Sequence, residues 1–185
     1  AVFRRWGIVG APRLFSRDFM CRAVADFVAE GPLAVAPHTI PHRTMHSPSG
    51  TLSLALGLQG PNHGAGGGPG CEAEGLLCAL ALLREQRLPG VWLLLSRIEP
   101  LIDGDPLRGQ IPPGTFAEAV ALALVPSDSP LPGETLSLAP DPAAEEPAFT
   151  LESVRALLAE GGERVLPGFG RLALSRAAPL LRWAA

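Results

Sequence analysis

Two short apolar runs constrain this chain more than any other feature. Trp6-Gly7-Ile8-Val9-Gly10 is closed by Ala-Pro, and Val91-Trp92-Leu93-Leu94-Leu95 follows Pro89-Gly90. Each is too short for a stable helix and reads as a buried strand. Between them, residues from about Cys71 to Arg87 read as a helix. A helix packed between two apolar strands predicts a layered α/β body.

The intervening segments fill in that outline. Ser16 can cap a helix running to about Glu30, with Gly31 as its stop and Phe19, Ala23 and Phe27 on one face. Pro32, Pro37, Pro41 and Pro48 predict an extended, irregular passage over 32–48. A small-residue amphipathic helix follows from Ser49 to Leu58, ended by Gly60-Pro61, and then a glycine-rich connection from Gly64 to Gly70. Residues 99–115 read as a surface loop carrying Glu99, Asp103 and Asp105, and Phe116 to Val125 reads as a strand before Pro126. Leu136 to Leu138 reads as a further short strand. Thr150 can cap a last helix, Leu151 to Glu160, ended by Gly161-Gly162. The tail from Arg164 to Ala185 is apolar with scattered arginines, suited to folding back on the body or covering an interface. The expected organisation is a main domain over 1–138, a linker or loop over 139–149, and a C-terminal helical segment over 150–185 packing on the domain.

Composition excludes several function classes. The net charge of −3 and pI near 5.8 give no electrostatic reason to expect nucleic acid or an anionic membrane as partner. No apolar run reaches the length of about 18 residues that a membrane span needs. Three cysteines, Cys21, Cys71 and Cys78, with no CxxC, argue against a disulfide framework or a cysteine-rich zinc site and suit a reducing cytoplasm. His38, His42 and His46 are spaced by four, but Pro37, Pro41 and Pro48 interrupt any helix that would align them on a metal. They read as loop histidines, so no metal site is expected, and no cofactor. The Gly64–Gly70 run lacks the Lys-Ser/Thr of a P-loop. Trp6, Trp92 and Trp183 read as core or interface anchors.

The stretch Gly50-Thr-Leu-Ser-Leu-Ala-Leu-Gly-Leu-Gln-Gly-Pro61 resembles a segment of β-ketoacyl synthases that reads roughly G-x-[IV]-[AS]-[IL]-x-[LF]-G-[LI]-[RQ]-G-P. Leu76 to Arg84 is similar to the helix that follows the nucleophile in that family, and Val91 to Leu95 to the next strand. Phe116 to Pro126 is similar to a segment reading roughly E-G-A-x-x-[LV]-V-L-E, and Gly7-Ile-Val-Gly10 to a strand beginning G-[VI]-V. The resemblance covers roughly residues 7–126. It implies an α/β fold, the thiolase-like layered α/β/α half that forms the N-terminal half of a ketosynthase. His46 to Gly50 (HSPSG) is similar to a family segment of the form N-x-x-x-G, and a subgroup from aryl-polyene-type clusters reads similarly there.

The departures from the family pattern bear on mechanism. Ketosynthases hold the acyl chain on a cysteine at the start of the helix after the G-P strand. Counting without gaps from Gly60-Pro61, or back from Leu83-Arg84, that position falls on Pro69. Cys71 is the fallback nucleophile, reached by a two-residue insertion in the glycine run. Glu72 and Glu74 beside it would raise its pKa. The family's second half supplies two histidines for the carbon–carbon bond step. The four here, His38, His42, His46 and His63, all precede the helix. The glycine run also weakens the strand that pairs across the dimer in relatives.

Chain length factors resemble ketosynthases, lack the cysteine and pair with an active ketosynthase. The resemblance therefore implies a non-catalytic ketosynthase-like subunit in fatty-acid or polyketide-type synthesis, with no catalytic residue. Its implied partners are an active ketosynthase subunit or a second copy, and an acyl carrier protein. Two alternatives stand beside it: a thiol-dependent acyltransferase using Cys71 with histidines from a partner, and a decayed interaction module without acyl chemistry.

Overall fold

The computed structural model describes residues 3–13, 15, 17–99, 114, 116–143 and 148–175. The chain divides into two units, Ala1–Leu124 and Val125–Ala185.

The first unit is built around β1 (Gly7–Pro12), every residue of which is buried. Then come α1 (Arg17–Glu30), α2 (Ile40–Arg43), α3 (Ser47–Leu56), β2 (Asn62–Gly64), α4 (Cys71–Glu85), β3 (Val91–Glu99) and β4 (Phe116–Leu124). The sheet order is β2-β1-β3-β4. β1 pairs in parallel with β2, Ile8 opposite Asn62, and with β3, from Gly7 opposite Val91 to Pro12 opposite Ser96. β3 and β4 are antiparallel, from Val91 opposite Leu124 to Glu99 opposite Phe116. The two apolar runs are thus adjacent parallel strands at the centre of one sheet.

Consecutive strand residues point to opposite faces, and that alternation locates the helices. A Cβ on Gly10 would lie 3.0 Å from the Ser49 Cβ of α3. One residue on, Ala11 meets α4: a Cβ on Gly75 would lie 2.5 Å from the Ala11 Cβ and close to Leu93 and Leu95. Helices α3 and α4 therefore cover opposite faces, and the first unit is a three-layer α/β/α body. Ile8, Val9, Val91, Leu93 and Leu95 are completely buried between the layers. At the other end of the strands Phe3, Trp6 and Trp92 form an aromatic cluster with centroids 5.0–5.9 Å apart.

Three expectations change in this unit. Residues 32–48 are not extended: Pro32–Ala34 and Pro37–Thr39 are 3-10 turns, and α2 follows at once. Proline's fixed φ suits the first turn of a helix, and here the prolines start turns rather than prevent them. Helix α3 begins earlier than Ser49 and stops at Gly57, not at Gly60-Pro61, because Gly57 takes a left-handed conformation at φ 64° and closes the helix end. On α1, Phe19, Ala23 and Phe27 keep the helical spacing expected of them; Phe19 and Ala23 are half-buried and Phe27 is 52% exposed. Strand β3 continues past Leu95 to Glu99. The capping role expected of Ser16 lies outside the described residues, as do most of the 99–115 loop and Trp183.

Among the described residues the second unit is a three-stranded antiparallel sheet with one helix. β5 (Thr135–Pro140), α5 (Leu151–Glu160), β6 (Gly162–Leu166) and β7 (Gly170–Ser175) follow one another, in sheet order β5-β7-β6. The expected Thr150 cap is present as a capping box with Ser153. Leu151, Val154 and Leu157 on α5 are buried, as are Leu166, Leu172 and Leu174 on the strands. The expected domain limit at 138 cuts through β5, which pairs with β7 over its whole length. The segment after 150 is a helix followed by a β-hairpin, not a helical segment alone. Gly161 ends the helix, Gly162 opens that hairpin, and the 166–170 turn lets β7 double back on β6.

Candidate functional site

The carboxyl ends of parallel strands are where open α/β sheets bind ligands. Here the end of β1, Ala11 to Arg13, meets the amino end of α4. The chain reaches that helix through the glycine run, in which Gly66, Gly67 and Gly70 have φ of 73°, 108° and 88°. These are conformations only glycine adopts cheaply. Pro69 is exposed in the turn, Gly70 precedes the helix, and Cys71 is its first residue. Of the two candidates for the nucleophile's place, the chain therefore gives the helix start to Cys71 and the turn to Pro69.

Burial governs what Cys71 can do there. It is 0% exposed. Its Sγ lies 3.4 Å from Glu72 Oε2 and 3.8 Å from the Ala11 carbonyl oxygen. The glycine run closes over it: a Cβ on Gly66 would sit 2.4 Å from the Cys71 Cβ, and one on Gly67 would sit 2.6 Å from the Met45 Sδ. Burial first, then the charge and hydrogen bond of Glu72, push the thiol up to about 12 from its ordinary 9.0. The Gly67 backbone N–H and the Arg13 charge oppose that rise and are outweighed. At neutral pH the sulfur is a protonated thiol, whereas nucleophilic attack requires the thiolate. Glu72 itself is only 3% exposed, and Glu72 and Glu74 occupy the first turn, where the helix dipole favours negative charge. Burial also raises the Cys78 thiol, further along α4.

The histidines do not converge. His38 is on a 3-10 turn, His42 on α2, His46 just before α3 and His63 on β2, and all four are exposed. Among the described residues no group of three or more His, Cys, Asp or Glu side chains could hold a metal ion. The HSPSG stretch does something the sequence reading missed. Buried Ser49 sets its Oγ 2.7 Å from Asn62 Oδ1 and 3.1 Å from the His46 carbonyl oxygen, tying α3 to β2. Ser49 is the third residue of a helix that also holds Ser47 and Ser53, so the sequence carried no signal that singled it out. Arg13 was also missed. Its Nε is buried with no hydrogen-bond partner among the described residues, and its charge acts on Cys71. The Gly64–Gly70 run is a helix lead-in, and β2 before it is only three residues long.

Comparison with known proteins shows the fold. No protein-family model matches the chain. No curated protein matches it either. Among solved structures the chain is similar to the ketosynthase ApeO in complex with its chain length factor ApeC from Xenorhabdus doucetiae. The identity is 20%, the TM-score is 0.58, and the match covers 94% of this chain and 70% of that chain. The likeness thus runs well past residue 126, where the sequence resemblance ends, and takes in the second unit. The chain has a mixed α/β fold of the thiolase-like, ketosynthase type.

Proposed function

We propose that this chain is a non-catalytic ketosynthase-like subunit that works beside an active ketosynthase in fatty-acid or polyketide-type acyl chain synthesis. One observation carries the reading: Cys71, the first residue of α4, is sealed from solvent with its thiol pushed up to about 12, and Pro69 in the turn before it offers no nucleophile. The fold likeness to a ketosynthase bound to its chain length factor supports the partner class, and an acyl carrier protein is the expected second contact. A reducing cytoplasm suits a chain whose three cysteines are all free.

The test is acylation. The purified chain is incubated with a short-chain acyl thioester and its intact mass is followed. The expected result is no adduct, together with co-purification of the chain with a full-length ketosynthase. An acyl adduct that disappears in Cys71→Ala would sink the proposal and establish the acyltransferase reading instead. That alternative draws its support from the place of Cys71 as first residue of α4, within reach of a backbone N–H and an arginine.

A further inference from the structure

The glycine run that closes over Cys71 is held down by few bonds. None of the residues from Gly64 to Gly70 is buried, whereas Cys71 beneath them is 0% exposed. The run is anchored at two points. Ala65 donates its N–H to the Gly10 carbonyl oxygen of β1 at 2.9 Å, and the Gly70 carbonyl oxygen accepts from the Glu74 N–H of α4 at 3.1 Å. Between those anchors, among the described residues, 66–69 make one backbone–backbone hydrogen bond: the Gly68 carbonyl oxygen accepts from the Cys71 N–H at 3.3 Å. The Gly67 N–H turns to the Cys71 sulfur.

Packing supplies the rest of the closure. A Cβ on Gly66 would collide with Cys71 and stand 3.0 Å from Glu74 Oε2, so bare backbone is what lies flat against the helix head. Met45, partly in solvent, leans on the run, its Sδ 2.6 Å from where a Cβ on Gly67 would stand. Gly68 differs from both. Nothing lies within 4 Å of its Cβ position, and its φ is not left-handed. Glycine loses more conformational freedom on ordering than any other residue, and 66–70 is all glycine except Pro69. A segment with a high ordering cost and few bonds to offset it opens at the low end of a protein's stability range. A strand such as β1, paired on both edges, does not.

We propose that residues 66–70 are a lid that swings off Cys71 about Ala65 and Gly70 while the rest of the fold stays intact. Access to the sulfur is then set by this local opening, with Met45 as the latch. The lid governs the same sulfur as the functional reading and rests on its being sealed, but not on acyl chemistry or on a ketosynthase partner.

Alkylation of the full chain by iodoacetamide, followed by peptide mapping at one mildly alkaline pH and at increasing urea below the unfolding transition, tests this. Cys71 should react much more slowly than Cys21, at a rate nearly independent of urea, because a short loop exposes little surface on opening. Gly68→Ala restricts the open loop without touching the closed one and should slow Cys71 about two- to fivefold. Gly66→Ala wedges the lid and should speed it at least about fivefold. Met45→Ala should also speed it, and it keeps the test alive if Gly66→Ala fails to fold. Cys21 should be unaffected in all three. A Cys71 rate that follows global unfolding at every urea concentration overturns the lid, as does one unchanged in Gly68→Ala or equal to that of Cys21. An acyl adduct on Cys71 would sink the functional reading and leave the lid standing; labelling that tracks global unfolding would do the reverse.

Discussion

Helices α1 and α4 are nearly the same length, 14 and 15 residues, and have opposite fates. α4 hides a thiol and a carboxylate at its head and buries Ala73, Gly75, Leu76 and Ala79 against the sheet. α1 keeps an arginine and an aspartate on its half-buried side and gives its valines to solvent. Residue size at the contact separates the two. The absent side chain at Gly75 and the small ones at Ala73 and Ala79 let α4 approach β1 and β3 closely. Such an approach desolvates whatever stands at the helix head, including Cys71. α1 has no comparable row of small residues on its inner side. Overall hydrophobicity therefore does not decide which helix is core; the placement of its smallest residues does.

Thiol chemistry offers the largest contrast between the helices. Exposed Cys21 on α1 should be alkylated readily in the native chain, and buried Cys71 should not. At neutral pH a thiol titrating near 12 has about a thousandfold less thiolate than one at 9.0. Peptide mapping after iodoacetamide treatment reads the difference, and equal labelling would break the comparison. The same shift has a stability consequence. The folded pKa lies above the unfolded one, so the contribution is fully present below pH 9 and is lost as pH rises towards 12. The chain has no Lys and no Tyr, so the thiols are the only side chains that titrate in that window. Urea midpoints should fall with pH there, less steeply in Glu72→Gln, which removes the second cause of the shift.

Truncation gives the next contrast. Leu76→Ala on α4, where the side chain is 3% exposed, should cost about 2–5 kcal/mol in chemical denaturation. Gly75→Ala adds a methyl where Ala11 already stands and should cost about 1–3 kcal/mol. In the second unit, Thr150→Ala removes the capping box of α5 and should cost about 1 kcal/mol. Val28→Ala on α1 should change monomer stability by less than about 0.5 kcal/mol. A Val28→Ala loss as large as that of Leu76→Ala would show that α1 is a core helix after all.

What was legible in the sequence follows the same physics. Continuous apolar runs such as Ile8-Val9 and Leu93-Leu94-Leu95 announce themselves, because burial on both faces leaves no polar position to blur the period. The strand reading of Phe116 to Val125 held, since β4 ends at Leu124. Gly57 was passed over because one glycine inside an apolar helix pattern does not disclose its φ. The β6–β7 hairpin was missed because Arg164 and Arg171, scattered through the tail, obscure the alternation. In the fold Arg171 is paired with Glu163 at 3.0 Å, and Arg164 with Glu160 at 3.1 Å. At the site, the direction of the Cys71 shift followed from its acidic neighbours Glu72 and Glu74, of which Glu72 is the one that acts on it. Its leading cause, burial, was not readable, because it depends on a loop fold set by three glycines.

The parallel pairing of Gly7–Pro12 with Val91–Ser96 also governs the order in which the molecule can assemble. During synthesis β1 leaves the ribosome long before β3, and until β3 exists the edge of β1 that faces it stays unpaired. The antiparallel β3–β4 pairing joins strands much closer along the chain and needs a smaller loop closure, so it is the natural nucleus. On loop-closure cost β1 is expected to join β3 after that pairing, leaving it exposed to chaperones or aggregation in the interval.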